Sequence, residues 1–248
     1  AAILEALSVY ETIIPVEIVE ADDPDTADFR LFKTEDLGAV GLMFPPAFPP
    51  NEDRAGLSGY DATAFDGSLA PGSFAFHVFQ HEFGHGFGLD HPHETFGQSD
   101  VMAGVAGPRD AGLHALNQGV FTIMTYNDPW PEGPTGPSET FDHGWPMTPM
   151  ALDIAVLQAK YGANDTHAAG DDVYVLPREN APGTGWVAIW DTGGRDAIRN
   201  DSGRDAVIDL AAATLAYEPG GGGVVSHVLL RDVRRVGQLV HVAAEGRR

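Results

Sequence analysis

The chain has 248 residues, enough for one large domain or two modest ones, with 43% hydrophobic and 20% charged residues, as in a folded globular chain. Acidic residues number 36 against 14 basic ones, a formal charge of -22. That field disfavours nucleic acid and anionic membranes as partners and attracts hard cations such as calcium, although an acidic surface can also serve solubility alone. There is no cysteine, which excludes disulfides, thiolate metal sites and a cysteine nucleophile. No apolar run approaches the roughly 18 residues that a membrane span needs.

Residues 1–14 predict a helix with Ile3, Leu4, Leu7 and Ile14 on one face, stopped by Pro15. They show no basic region followed by a cleavage site and read as the middle of a helix, so the natural chain is expected to extend further at this end. Val16, Ile18 and Val19 favour a strand, residues 22–28 an acidic turn, and residues 29–32 and 39–44 two short strands, with another beginning near Tyr60. A turn at residues 70–72 leads to Ser73, the expected N-cap of a helix running through His85. Residues 92–124 have little periodicity, and a loop of that length is uncommon unless it is functional. Thr148 and Pro149 open a second helix with Met150, Ile154 and Leu157 on one face and Gly162 as its stop. Beyond Asp165 the pattern changes to strands at 173–176, 186–190, 207–210, 224–230 and 239–242, with a glycine turn at 220–223. A domain boundary is expected there.

Residues 81–91 read His-Glu-Phe-Gly-His-Gly-Phe-Gly-Leu-Asp-His. A spacing of four returns a helical side chain to nearly the same face, so His81 and His85 can chelate one ion, and Glu82 lies close enough to reach a water on it. His91 could not join them on a straight helix. Gly88 can adopt a left-handed conformation, end the helix and swing His91 back under the metal. Three neutral imidazoles leave zinc a fourth position, as in catalytic sites. The bland alternative is a solvated surface helix, but Phe76, Phe79, Phe83 and Phe87 make this one too apolar for a surface. His77 and His93 are near the motif and the other histidines lack ligand spacing; none is assigned a role.

This extended motif resembles that of the metzincin metalloproteases, and Pro92 directly after the third histidine is similar to the serralysin branch. Residues 121–126, Phe-Thr-Ile-Met-Thr-Tyr, resemble the family's Met-turn. The resemblance makes Met124 an apolar floor beneath the metal and Tyr126 a fifth zinc ligand that leaves when substrate binds and stabilises the oxyanion. Residues 150–164 resemble the serralysin helix beneath the active site. Astacins usually have glutamate after the third histidine and carry disulfides, and matrix metalloproteases lack the tyrosine, so both fit less well.

The fold implied is α+β. A metzincin catalytic domain over residues 1–164 has a twisted mixed sheet, an active-site helix and a lower helix. A small all-β region over residues 165–248 resembles the start of a β-roll or β-sandwich. Residues 170–174 and 190–196 resemble the calcium site where the serralysin β-roll begins. By that resemblance Asp172, Asp191 and Asp196 supply carboxylates and Ala168, Gly170 and Gly193 backbone oxygens; aspartates stabilising turns are the alternative. The Gly-Gly-x-Gly-x-Asp repeats of that domain do not occur in these 248 residues. The implied function is that of a secreted, extracellular zinc endopeptidase with a structural calcium. It would hydrolyse peptide bonds by a zinc-bound water with Glu82 as general base. Its substrates would be extended polypeptides paired along an edge strand at Ala39, Val40, Gly41 and Leu42. Polypeptide substrates are the implied partners, a protein inhibitor is left open, and neither nucleic acid nor membrane is expected. A non-catalytic secreted module that holds calcium and zinc is the rival, and the intact Glu82 speaks against it.

Overall fold

The computed structural model describes residues 1–46, 52–65, 67–95, 99–133, 136–204, 206–208, 224–230 and 235–243, with backbone pairing alone from 207 onward. The first helix, α1 (Ala2–Ile13), buries Ala6, Leu7, Tyr10 and Ile13. Leu7 and Ile14 are buried and Ile3 packs against the core as expected, but Leu4 is 46% exposed and Ala6, Tyr10 and Ile13 complete the inward face. The reason is Tyr10: its ring stacks on Phe87 at 4.6 Å and its hydroxyl donates to the Gln80 carbonyl at 2.6 Å. An amphipathic tyrosine anchors this face better than an aliphatic count indicates.

Val16, Ile18 and Val19 form no strand. The Ile18 amide bonds the Glu11 carboxylate at 2.7 Å instead of a ladder partner, and Val19 is 73% exposed. Propensity for extended structure makes a strand only where a sheet edge is within reach. Strands β1 (Arg30–Thr34), β2 (Gly41–Met43) and β3 (Leu57–Asp61) form a mixed sheet in the order β1-β3-β2. The first pair is parallel and the second antiparallel. β3 thus starts three residues before the expected Tyr60, and β2 is shorter than 39–44, an edge strand followed by Pro45 and Pro46.

Helix α2 (Phe74–Gly86) is capped as expected by the Ser73 hydroxyl, which accepts from the Phe76 amide at 3.2 Å. It is buried almost all round, with Phe76, Phe79 and Phe83 in the core. Helix α3 (Ala151–Tyr161) begins two residues later than Thr148–Pro149. Its first turn is closed by Asp153, which accepts from the Met150 amide at 2.8 Å, while Thr148 Oγ1 accepts from the Ala188 amide at 2.8 Å. Met150, Ile154 and Leu157 are fully buried as expected, and Gly162 ends the helix at φ 84°.

Five of the remaining strands match or overlap their expected positions: β4 (Val173–Leu176), β5 (Val187–Trp190), β7 (Val207–Ile208), β8 (Val224–Leu230) and β9 (Arg235–Ala243). β6 (Ala197–Asn200) lacks a strand-like pattern and exists through parallel pairing with β4. A four-stranded sheet runs β5-β9-β8-β7. The glycine turn at 220–223 and residues 209–210 lie outside the described residues. The molecule is therefore α+β. Its main core joins α1, α2 and α3, and it takes in Trp186 and Ala188 from beyond residue 165.

Asp153 fastens α3 to the loop above it. Its carboxylate also accepts from Thr122 Oγ1 at 2.6 Å and the Ile123 amide at 2.7 Å. Burial pushes this carboxyl up to about 6, against the pull of its three donors. Asp153→Ala would strand two buried amides and a hydroxyl. It is expected to destabilise the fold by about 2–4 kcal/mol, read as a lower denaturant midpoint.

Candidate metal centre and cleft

The C-terminus of α2 explains how the third histidine meets the other two. Gly88 has φ 78°, the Gly88 amide bonds the His85 carbonyl at 2.8 Å, and the Leu89 amide bonds the Gly84 carbonyl at 2.8 Å. This paired closure ends the helix through a left-handed residue. Lys160 Nζ then donates to the Gly88 carbonyl at 2.7 Å and the Tyr161 hydroxyl to the Phe87 carbonyl at 2.9 Å, so α3 holds the turn from below.

His91 Nε2 consequently lies 3.0 Å from His81 Nε2 and 3.0 Å from His85 Nε2. Each opposite ring nitrogen meets an oxygen. His81 Nδ1 is 2.7 Å from the Ile123 carbonyl, His85 Nδ1 is 2.9 Å from the Leu89 carbonyl, and His91 Nδ1 is 2.8 Å from Glu94 Oε2. A proton on each Nδ1 satisfies those acceptors and turns three Nε2 lone pairs towards one point. Burial holds His81 well below its usual range and lowers His85 to about 4, and each neighbouring imidazole adds to the effect. Neutral, nitrogen-only donors converging in this way fit a borderline-soft divalent ion such as zinc.

Glu82 is buried beside these rings, and burial pushes its carboxyl up to about 8. Met124 is buried against α2: a methyl group on Gly84, between His81 and His85 in the chain, would come within 2.6 Å of Met124 Sδ. Tyr126 is 43% exposed, with its ring 6.0 Å from that of His81 and 4.6 Å from that of His91. Its carbonyl accepts from the Arg109 guanidinium. A cleft of about 1010 Å³ runs over the site, lined by residues 39–46, His81, Glu82, His85, His91, Tyr126 and an aromatic wall of Phe74, Phe141 and Trp145. Of the four expected edge positions, Gly41 and Leu42 lie in β2, while Ala39 and Val40 precede it; all four line the cleft.

Away from the cleft, carboxylate oxygens of Asp172, Asp191 and Asp196 lie within 4.8 Å of one another. Ala168 is left-handed at φ 48°, and Gly194 packs against the Gly170 carbonyl, which brings the loop carrying Ala168 and Gly170 alongside Gly193. An all-oxygen set of this kind suits calcium. Residues that the motif reading passed over are Glu94, which orients His91, and Asp153 and Lys160, which brace the Met124 loop and the Gly88 turn. Glu94 lies only three residues beyond the third histidine, and that spacing was its one visible signal.

The fold and site together define an α+β protein with a three-histidine group able to hold a metal ion. No family model matches the chain. It is similar to Serralysin C of Dickeya chrysanthemi, 34% identical over 163 residues, which is 61% of this chain and 32% of the relative. It is also similar to a serralysin of Photorhabdus laumondii, 27% identical over 231 residues, which is 88% of this chain and 46% of the relative. Metalloprotease AprA of Pseudomonas entomophila is 32% identical over 141 residues, covering 51% of this chain and 27% of the relative. The chain is serralysin-like, similar to that branch of the metzincin metalloproteases. It spans between about a quarter and a half of the length of these relatives.

Glu94→Gln removes the carboxylate that holds the His91 ring. It is expected to weaken divalent-ion binding at the three histidines by about 10–100-fold, measured by zinc competition against a chromophoric chelator.

Proposed function

We propose that this chain carries the catalytic region of a secreted zinc endopeptidase that hydrolyses extended polypeptides. The observation that carries the reading is the convergence of His81, His85 and His91 Nε2 beside the buried Glu82 carboxylate in an open cleft. These three nitrogens would hold the ion. Zinc, when bound, supplies Lewis acidity that acidifies a water and polarises a carbonyl.

Glu82 acts as the base. Its carboxylate takes a proton from the attacking water as the water oxygen bonds to the carbonyl carbon, then returns that proton to the amine as the carbon–nitrogen bond breaks. Tyr126 stands at the mouth of the cleft and donates its hydroxyl hydrogen to the oxyanion that develops. Its hydroxyl would also help to hold the ion when no substrate is bound. Met124 supplies an apolar floor, and Gly88 sets the turn.

Substrate lies extended along β2, the edge of its sheet, with exposed Leu42 and Val40 beside it. Backbone pairing of this kind accepts many sequences. Asp172, Asp191 and Asp196, with backbone oxygens of Ala168, Gly170 and Gly193, hold a structural calcium. They belong to a β-rich region from residue 165 that continues the protease region as the opening of a β-roll. Among the described residues no helix is long and apolar enough to cross a membrane.

Glu82→Gln is expected to retain zinc, measured per chain by atomic absorption, and to lose about 10²–10⁴-fold in casein hydrolysis. Wild-type turnover in that variant would refute the assignment. Tyr126→Phe should lower kcat on a fluorogenic peptide by about 10²–10³-fold while KM changes far less. An unchanged kcat would remove Tyr126 from the mechanism.

A further inference from the structure

The face that the sheet turns towards α2 is built of alternating gaps and protrusions. Gly41 on β2 stands directly opposite Tyr60 on β3, and Met43 opposite Ser58. Directly opposed residues of an antiparallel pair project to the same side. Tyr60 meets Phe79 of α2 edge-on, with ring centroids 5.0 Å apart. Three residues further along the helix Glu82 occupies the space beside that ring. A methyl group on Gly41 would lie 2.5 Å from Glu82 Oε1, 2.8 Å from its Cγ and 2.9 Å from its Cδ. Two residues along the strand, Met43 shares with Phe29 the space over Gly86: a methyl group on Gly86 would lie 2.9 Å from Phe29 Cε1 and Cζ and 3.0 Å from Met43 Cε. The gap at Gly41 on the strand is thus filled by a side chain of the helix, and the gap at Gly86 on the helix by Phe29 and Met43.

We infer that Gly41 is a positioning residue for Glu82, its missing side chain forming the slot that holds the carboxylate against the edge strand. The inference rests on Glu82 acting as the base in the proposed reaction. Gly41 does not need unusual backbone freedom, because it is not among the glycines with positive φ. What it needs is empty volume. All three Glu82 atoms that a methyl group would meet belong to the side chain between its Cγ and its carboxylate, so accommodating the methyl means rotating the carboxylate away. The strand cannot retreat readily. The Ser58 hydroxyl donates to the Leu42 carbonyl at 3.0 Å, and the Asp61 amide donates to the Val40 carbonyl at 3.1 Å, pinning β2 on both sides of Gly41. The same short stretch of chain thus serves two ends: its outer edge offers backbone to a peptide, and its inner face aims the base.

The test is a pair of measurements on Gly41→Ala, Glu82→Ala and the double variant. In hydrolysis of a fluorogenic peptide, Gly41→Ala is expected to lower kcat by about 100-fold, the scale of a catalytic group displaced by about 1 Å, with KM changed less than about threefold and zinc content unchanged. In thermal unfolding of the zinc-loaded chain, Gly41→Ala is expected to lower the midpoint in the wild-type background and to leave it unchanged or raise it in the Glu82→Ala background, where the methyl fills the volume the carboxylate leaves. If Gly41→Ala alone fails to fold, recovery of folding in the double variant supports the inference equally, and failure of both overturns it. An equal loss of midpoint in both backgrounds, or a kcat within threefold of wild type, overturns it as well. Absence of peptide hydrolysis by the zinc-loaded wild type would instead refute the proposed reaction, and the unfolding measurement would still report on Gly41 and Glu82.

Discussion

His91 Nε2 lies 3.0 Å from the Nε2 atoms of His81 and His85, and with the ring protons on Nδ1 that approach is repulsive unless a cation stands among them. Everything nearby serves to hold the rings in this geometry. Each ring is fixed from behind by a carbonyl or carboxylate, so the donor nitrogens cannot rotate outwards. Two of those three oxygens are backbone atoms, and each lies on a segment whose own path is tied elsewhere: Ile123 by Asp153, and Leu89 by the closure over Gly84.

The supports come from parts of the chain far apart in sequence. The Gly88 turn is held by Lys160 and Tyr161 at the end of α3, and the Met124 loop is held by Asp153 at its beginning. One short helix therefore braces both the turn that delivers His91 and the loop that passes beneath His81. Small residues do the complementary work. Gly84 admits Met124 under α2, and Gly41 admits Glu82 under β2. In a close-packed interior a single methyl group at either position would require a neighbour to move.

Burial acts on the site in two opposed ways. It disfavours charge on the histidines, which keeps them as neutral donors, and it disfavours charge on Glu82, which makes that carboxyl readier to hold a proton. Both effects follow from seating the motif on a helix whose other faces are filled by phenylalanine. The exposed side opens on a cleft with one polar end at the histidines and an aromatic wall beyond.

The convergence of the three histidines was legible in the sequence because it is local: a spacing of four, a glycine, and a third histidine three residues later depend only on helical geometry and one left-handed turn. The Ser73 cap and the Met150, Ile154 and Leu157 stripe were legible for the same reason. Relations between distant segments were not. Val16, Ile18 and Val19 have strand-forming side chains but no ladder partner among the described residues, whereas residues 197–200 lack the pattern and become a strand because β4 lies beside them. Thr148 reads as a helix opener, yet its hydroxyl goes to Ala188 and Asp153 closes the helix instead. Gly41 carries no chemical signature at all. Its meaning comes from what the tertiary structure lays against it, because an empty volume is defined only by the side chain that fills it.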